Sequence, residues 1–137
     1  MTDASVGTTR IIDVVAAIIE RDGRWLLSKR QEGTHLAGLW EFPGGKCEPG
    51  ETHEAALVRE IDEELGVGVS VGPEMLVTVH TYADRTVRLH FHACTLSGEP
   101  EPRLGQALRW VTSDELATID LPEADREIVG RLRSAPR

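Results

Sequence analysis

From Glu51 to Leu65 an apolar residue returns every four positions, at Leu57, Ile61 and Leu65, with Ala55, Ala56 and Val58 between them and Gly66 directly after. That period lays one stripe along an α-helix, and the glycine beyond it is a natural stop. The segments on either side read as strands. Asp13 to Ile19 is rich in Val, Ala and Ile, and Glu20-Arg21-Asp22-Gly23 turns it into Trp25 to Ser28, a hairpin signal. Glu74 to Tyr82 and Thr86 to Cys94 form two more. In the second of these, Val87, Leu89, Phe91 and Ala93 alternate with Arg88, His90, His92 and Cys94, which predicts one face in a core and the other open to solvent or ligand. Arg30 to Leu39 and Leu96 to Gly105 read as loops, and Pro43-Gly44-Gly45 argues against a regular element while admitting torsions closed to other residues. A short strand over Ala107 to Val111, a helical turn at Ser113-Asp114-Glu115 and a last helix from Pro122 to about Leu132 complete a mixed-sheet α/β domain.

With 137 residues there is room for one hydrophobic core. Met1 to Arg10 is small and polar and is expected to be a flexible tail, leaving 11–137 as the domain. The formal charge of -8, from 23 acidic and 15 basic side chains, argues against a broad grip on a nucleic acid polymer. It leaves a small phosphorylated ligand open, because carboxylates gather divalent cations that attract polyphosphate. No apolar run nears the ~18 residues that cross a bilayer, and the first ten residues lack a secretion layout, so a cytoplasmic protein without a membrane partner is expected. Cys47 and Cys94 read as reduced thiols.

Glu60, Glu63 and Glu64 are three and four residues apart and share one side of the helix, where like charges cost a few tenths of a kcal/mol per pair. Either the face is simply solvated or a cation compensates. Arg59 lies among them, able to pair with Glu63 or Glu51, and Gly44-Gly45 just upstream lets a backbone carbonyl approach a ligand. Hard oxygen donors of this kind suit Mg²⁺ or Mn²⁺, and the chemistry they serve is phosphoryl or nucleotidyl transfer to water. The chain has neither a GxSxG elbow nor a GxxxxGK[ST] loop.

The run Gly45-Lys46-Cys47-Glu48-Pro49-Gly50-Glu51, seven further residues, then Arg59-Glu60-Ile61-Asp62-Glu63-Glu64-Leu65-Gly66-Val67 resembles the Nudix box, G-x5-E-x7-R-E-U-x-E-E-x-G-U, at every specified position. A chance match is on the order of one in ten million. The resemblance implies the Nudix fold, an α-β-α sandwich with a mixed sheet and a smaller antiparallel sheet, and hydrolysis of a nucleoside diphosphate linked to another group. It implies that Glu60 and Glu64 are direct metal ligands, Glu63 a ligand or water-bridged partner, and the Gly45 carbonyl a further ligand. Arg59 would organise these glutamates and Glu51 support the motif.

From Val14 to Leu132 the chain is similar to MutT-like pyrophosphohydrolases, including Leu39-Trp40-Glu41-Phe42-Pro43-Gly44-Gly45 and Leu121-Pro122-Glu123-Ala124-Asp125. That likeness implies conversion of a nucleoside triphosphate to monophosphate and pyrophosphate, with water attacking the β phosphorus. Arg30 and Arg85 match substrate-contacting arginines, Asp125 a base-reading position and Phe42 a pocket wall. Oxidised purine triphosphates such as 8-oxo-dGTP are the leading expected substrates. CTP or modified dCTP, another linked diphosphate such as ADP-ribose, and a non-enzymatic nucleotide-binding role are the alternatives, for a monomer or homodimer. One position departs from the pattern: Leu104-Gly105-Gln106 stands where a glutamate proposed as metal ligand or base is usual. Glu63 is then the first candidate for general base and Glu101 the second. His80, His90 and His92 are expected to be satisfied sheet residues or pocket lining, and His35 and His53 to be exposed.

Overall fold

The computed structural model describes residues 10–34 and 37–134. The elements are β1 (Arg10–Arg21), β2 (Arg24–Lys29), β3 (Trp40–Glu41), β4 (Gly44–Lys46), α1 (His53–Leu65), β5 (Val69–Thr81), β6 (Arg85–Leu96), β7 (Leu108–Val111), α2 (Ser113–Leu116) and, after a 3-10 turn at Glu123–Asp125, α3 (Arg126–Ser134). Arg10, assigned to the tail by its sequence, is the first residue of β1, while residues 1–9 of that tail and His35 lie outside the described residues.

β1 organises the molecule. Its residues Arg10 to Ile19 run parallel to β6, Val14 to Ala16 pair antiparallel with β4, and its end enters the β2 hairpin. The hairpin turns at Asp22 and Gly23, with φ of 55° and 76°, the doubly positive pair that matches strand twist. β5 pairs antiparallel with the outer side of β6. The result is a mixed sheet, β4-β1-β6-β5, joined through β1 to a smaller antiparallel sheet of β2 with β3 and β7. This is the Nudix architecture that the sequence predicts.

Successive β1 residues feed opposite cores. Val15, Ala17 and Ile19 pack with Leu57, Ile61 and Leu65 of α1, and Ala16 and Ile18 pack with Phe91, Ile128 and Leu132 on the α3 side. The second core covers what α1 does not, so β1 is buried on both faces from Val15 to Ile19. The one-sided burial predicted for β6 is therefore wrong: His90, His92 and Cys94 are buried as Phe91 is, because α1 covers their face.

Several boundaries differ from expectation, and three of them have a clear local cause. Gly44–Lys46 is a strand after all; a side chain at Gly44 would collide with the backbone of Val15 and Ala16, so glycine is what lets β4 lie against β1. β5 begins at Val69 rather than Glu74, because register shifts on either side of Glu74 absorb Gly72-Pro73 on this edge strand. α1 begins at His53, not Glu51, because the Thr52 hydroxyl accepts from Ala55 N–H at 3.0 Å and caps it. Its end falls where predicted, with Gly66 at φ 64° and its N–H donating to the Asp62 carbonyl. Among the described residues no helix is long and apolar enough to cross a membrane.

Candidate active site

Arg59, on α1, gathers the carboxylates. Its Nε and Nη2 donate to the two oxygens of Glu51 at 2.8 and 2.9 Å, Nη2 also donates to the Lys46 carbonyl at 3.0 Å, and Nη1 donates to Glu60 Oε2 at 3.1 Å. Glu63 is more distant, at 3.7 Å. The forked pair with Glu51 ties the start of the helix to its middle, and the Lys46 contact ties both to β4. The Arg59 hydrogen bond, joined by the Glu48 N–H, draws the Glu51 carboxyl down to about 2.

Glu64 lies one turn from Glu60, and burial first, then its closeness to Glu60 and the charges of Glu60 and Glu41, push its carboxyl up to about 9 against the opposing Gly44 N–H. Two carboxyl groups so confined hold a proton between them or need a cation there. Gly45 lies against this pair, since a side chain at that position would run into the Glu60 carboxylate. The donor set of two carboxylates beside exposed backbone fits Mg²⁺ or Mn²⁺. Glu63 stands apart, with 58% of its side chain exposed.

On the other side of β1 from α1 lies a cavity of about 420 Å³. Arg30, Phe42, Arg85 and Asp125, the four residues expected to contact substrate, all line it, and so does Gly45. Val14, Ala16 and Leu89 add apolar wall, and Phe42 is held edge-on to Phe91 at 6.1 Å. Arg85 donates to Asp84 at 3.1 Å and stacks over Tyr82 at 5.0 Å. Asp125 is only 5% exposed; burial and then the charge of Glu41 push its carboxyl up to about 7, against the pull of Arg30.

Sequence reasoning passed over Glu41. Its carboxylate accepts from Arg30 Nη1 at 2.6 Å, and it lines both the large cavity and an adjoining one of about 160 Å³ shared with Glu64, Leu104 and Gln106. Burial raises its carboxyl and Arg30 opposes that. A signal was present: an acidic residue set between Trp40 and Phe42-Pro43 in a short apolar run is out of place unless something charged meets it.

Leu104 borders that smaller space, and its N–H donates to Gln106, which in turn donates to the Glu64 carbonyl at 3.0 Å. Glu101 is not brought in: its side chain is 68% exposed, lines neither cavity and faces Arg103 at 3.5 Å. None of the described histidines lines either cavity. His53 is half-buried rather than exposed, and it meets His90 and Glu74 on the α1 face of the sheet. Those three residues place one donor atom each within 4.8 Å of one another, a group able to hold a divalent metal ion.

Residues 14–131 match the NUDIX domain family. The chain is 43% identical over 117 residues to the CTP pyrophosphohydrolase of Escherichia coli K12, spanning 85% of this chain and 87% of that protein. It is also 43% identical over 120 residues to a putative 8-oxo-dGTP diphosphatase 2 of Mycobacterium tuberculosis H37Rv, spanning 82% of each. Among solved structures, that of the E. coli ORF135 protein superposes with a TM-score of 0.82 at 39% identity, covering 93% of this chain and 94% of that one.

Proposed function

The chain belongs to the Nudix family of acid anhydride hydrolases, and from that premise we propose that it cleaves nucleoside triphosphates to monophosphate and pyrophosphate, with 8-oxo-dGTP or a related oxidised purine as the preferred substrate. One observation carries the substrate class: a single cavity joins Arg30 and Arg85 to apolar walls and to the buried carboxyl of Asp125, with Gly45 of the carboxylate site among its lining residues. Arginines meet a triphosphate, apolar walls meet a base, and the buried carboxyl reads its edge.

A carboxyl raised to about 7 offers an O–H donor and a C=O acceptor side by side below that pH. Guanine presents two acceptors, O6 and N7, along one edge and does not match that pair. Oxidation at C8 turns N7 into an N–H donor, and the edge then matches. Cytosine, with N3 as acceptor and N4–H as donor, matches too. This supports CTP or a modified dCTP as the second reading, and the two named relatives divide along the same line.

In the proposed reaction Glu60, Glu64 and the Gly45 carbonyl would hold Mg²⁺ or, in its place, Mn²⁺. Such an ion would supply positive charge to offset the triphosphate and to favour ionisation of the attacking water. Arg59 keeps Glu60 in position through Glu51 and the Lys46 carbonyl. Glu63, exposed and outside the Glu60–Glu64 pair, takes the proton of the water that attacks the β phosphorus. Arg30 and Arg85 hold phosphate oxygens, and Phe42 walls the base. The water oxygen ends in pyrophosphate, and the monophosphate leaves.

Initial rates with Mg²⁺ on canonical, oxidised and methylated triphosphates and on ADP-ribose test this. A preference for 8-oxo-dGTP over dGTP supports the first reading, indifference to guanine oxidation overturns it, and a preference for CTP selects the second. If no triphosphate releases pyrophosphate, cleavage of ADP-ribose would select a linked diphosphate instead, and cleavage of nothing would leave a nucleotide-binding domain. Reaction in ¹⁸O-water places label in pyrophosphate if attack is at the β phosphorus.

A further inference from the structure

On the face of the mixed sheet turned toward α1, away from the cavity, His53, Glu74, His90 and His92 converge. We propose that they form a second metal site, separate from the carboxylate site, for a borderline transition-metal ion of the Zn²⁺ class.

The spacing fits such an ion. His53 Nδ1 lies 3.3 Å from His92 Nε2, and Glu74 Oε1 lies 3.6 Å from His53 Nδ1 and 3.7 Å from His92 Nε2. A circle through three atoms so spaced has a radius of about 2.1 Å, the length of a Zn–N or Zn–O bond. His90 Nδ1 approaches the same glutamate oxygen at 3.2 Å and supplies a fourth donor.

The hydrogen bonds behind the histidines fix where their lone pairs point. His92 Nδ1 lies 3.1 Å from the Gly72 carbonyl, which can only accept, so Nδ1 carries a proton and the lone pair of a neutral ring is on Nε2, toward the cluster. His90 Nε2 lies 2.8 Å from Asp13 Oδ1. Arg88 grips Asp13 with two hydrogen bonds, at 2.7 and 3.1 Å, so Asp13 also only accepts, and in a neutral ring the His90 lone pair falls on Nδ1, toward Glu74. With both rings neutral, two nitrogen lone pairs point at the Glu74 carboxylate, an arrangement that a cation between them satisfies. A carboxylate or carbonyl behind each ligating histidine is the usual support of a metal-binding imidazole. Nitrogen-rich donors favour Zn²⁺ and its neighbours over Mg²⁺.

The fold builds this convergence. The β5 register shifts around Glu74 put it opposite His92, while Leu76 pairs with Phe91 and turns to the other core. His90 and His92 are 10% and 11% exposed, whereas His53 and Glu74 are 35% and 39% exposed, which leaves an entry path. An ion here would tie the first residue of α1 to β5 and β6.

The test is Co²⁺ titration of chelator-stripped protein in excess Mg²⁺, which occupies the carboxylate site. The expected result is one equivalent of intense visible bands from a four- or five-coordinate site, displaced by Zn²⁺. His53→Ala and His92→Gln should each lose the bands, Glu64→Gln should keep them, and Asp13→Asn should weaken binding about 10–100-fold. Melting in chelator shows whether each variant is folded, and ¹⁵N shifts of the wild-type imidazoles report Zn²⁺ binding independently of any variant. Zn²⁺ that leaves those shifts unmoved, or bands that survive His53→Ala and vanish in Glu64→Gln, would overturn the proposal.

Discussion

Glu64, one turn beyond Glu60 on α1, keeps its carboxyl proton up to about 9, because it is buried and close to the Glu60 carboxylate. The metal-free helix therefore retains a proton where a cation is proposed to bind, and stability and activity pull this position in opposite directions.

The first prediction concerns that opposition. Glu64 is raised from 4.5 to about 9, so between those values the unfolded chain ionises while the folded one holds its proton, and stability falls as pH rises through that window. In chelator at pH 8, Glu64→Gln should be more stable than wild type by roughly 1–3 kcal/mol by urea unfolding, and Mg²⁺ should no longer stabilise it. Hydrolysis should fall by at least about 100-fold, or ~2.7 kcal/mol of transition-state stabilisation. A variant that is both active and unchanged in stability would refute the ligand assignment.

Arg59→Lys keeps the charge but not the fork. One ammonium cannot reach both Glu51 oxygens, Glu60 and the Lys46 carbonyl at the distances found. The expected result is a kcat about 10–100-fold lower with KM for the nucleotide little changed, because the residue positions carboxylates and does not touch substrate. Steady-state kinetics at saturating Mg²⁺ separate this from simple loss of metal.

The helix, its glycine stop and the β1–β2 hairpin were legible because each is written in local periodicity or turn chemistry. The box residues and four cavity residues were legible through family resemblance, and the fold brings the latter into one cavity. What escaped was set by long-range contact. The glycines of Gly44–Lys46 read as a break, yet become a strand because β1 is there to pair with them. On the polar stripe of β6, His90, His92 and Cys94 read as open to solvent or ligand, yet are covered by a helix more than twenty residues upstream, while Arg88 stays exposed. Glu41 carries no periodic signal, and its place follows from the meeting of β3 with Arg30 and α1.

Asp125 supplies a pH prediction. Its carboxyl rises from 3.8 to about 7, so it is neutral in the fold through mildly acid pH and loses its donor as pH passes through 7. That donor meets O6, which guanine and its 8-oxo form share, whereas the N–H at N7 is still accepted by the ionised group, so kcat/KM for 8-oxo-dGTP should decline from pH 6 to pH 8.5, by about tenfold if one hydrogen bond near 1.4 kcal/mol is lost. Asp125→Asn keeps a donor and an acceptor at every pH, so this decline should be absent from its profile. It also removes a buried acid that ionises more readily in the unfolded chain, so its stability should decline less than that of wild type from pH 4 to pH 7. A wild-type decline no steeper than that of Asp125→Asn would remove Asp125 from base reading.

The last prediction separates the two candidate bases. Glu63 is exposed beside the Glu60–Glu64 pair and within 3.7 Å of Arg59, whereas Glu101 faces Arg103 on a loop held to the end of α1 through the Leu65 carbonyl. Glu63→Gln should cut kcat by about 10²–10⁴-fold, the usual yield of general-base catalysis. Glu101→Gln should change kcat less than about threefold, the scale of an exposed charge removed from a loop. Mn²⁺ binding followed by electron paramagnetic resonance shows whether either variant has lost metal instead of a base. If Glu101→Gln is the one that loses activity on that scale, with its metal affinity and melting temperature intact, the loop must close over the site during turnover and the order of the two candidates is reversed.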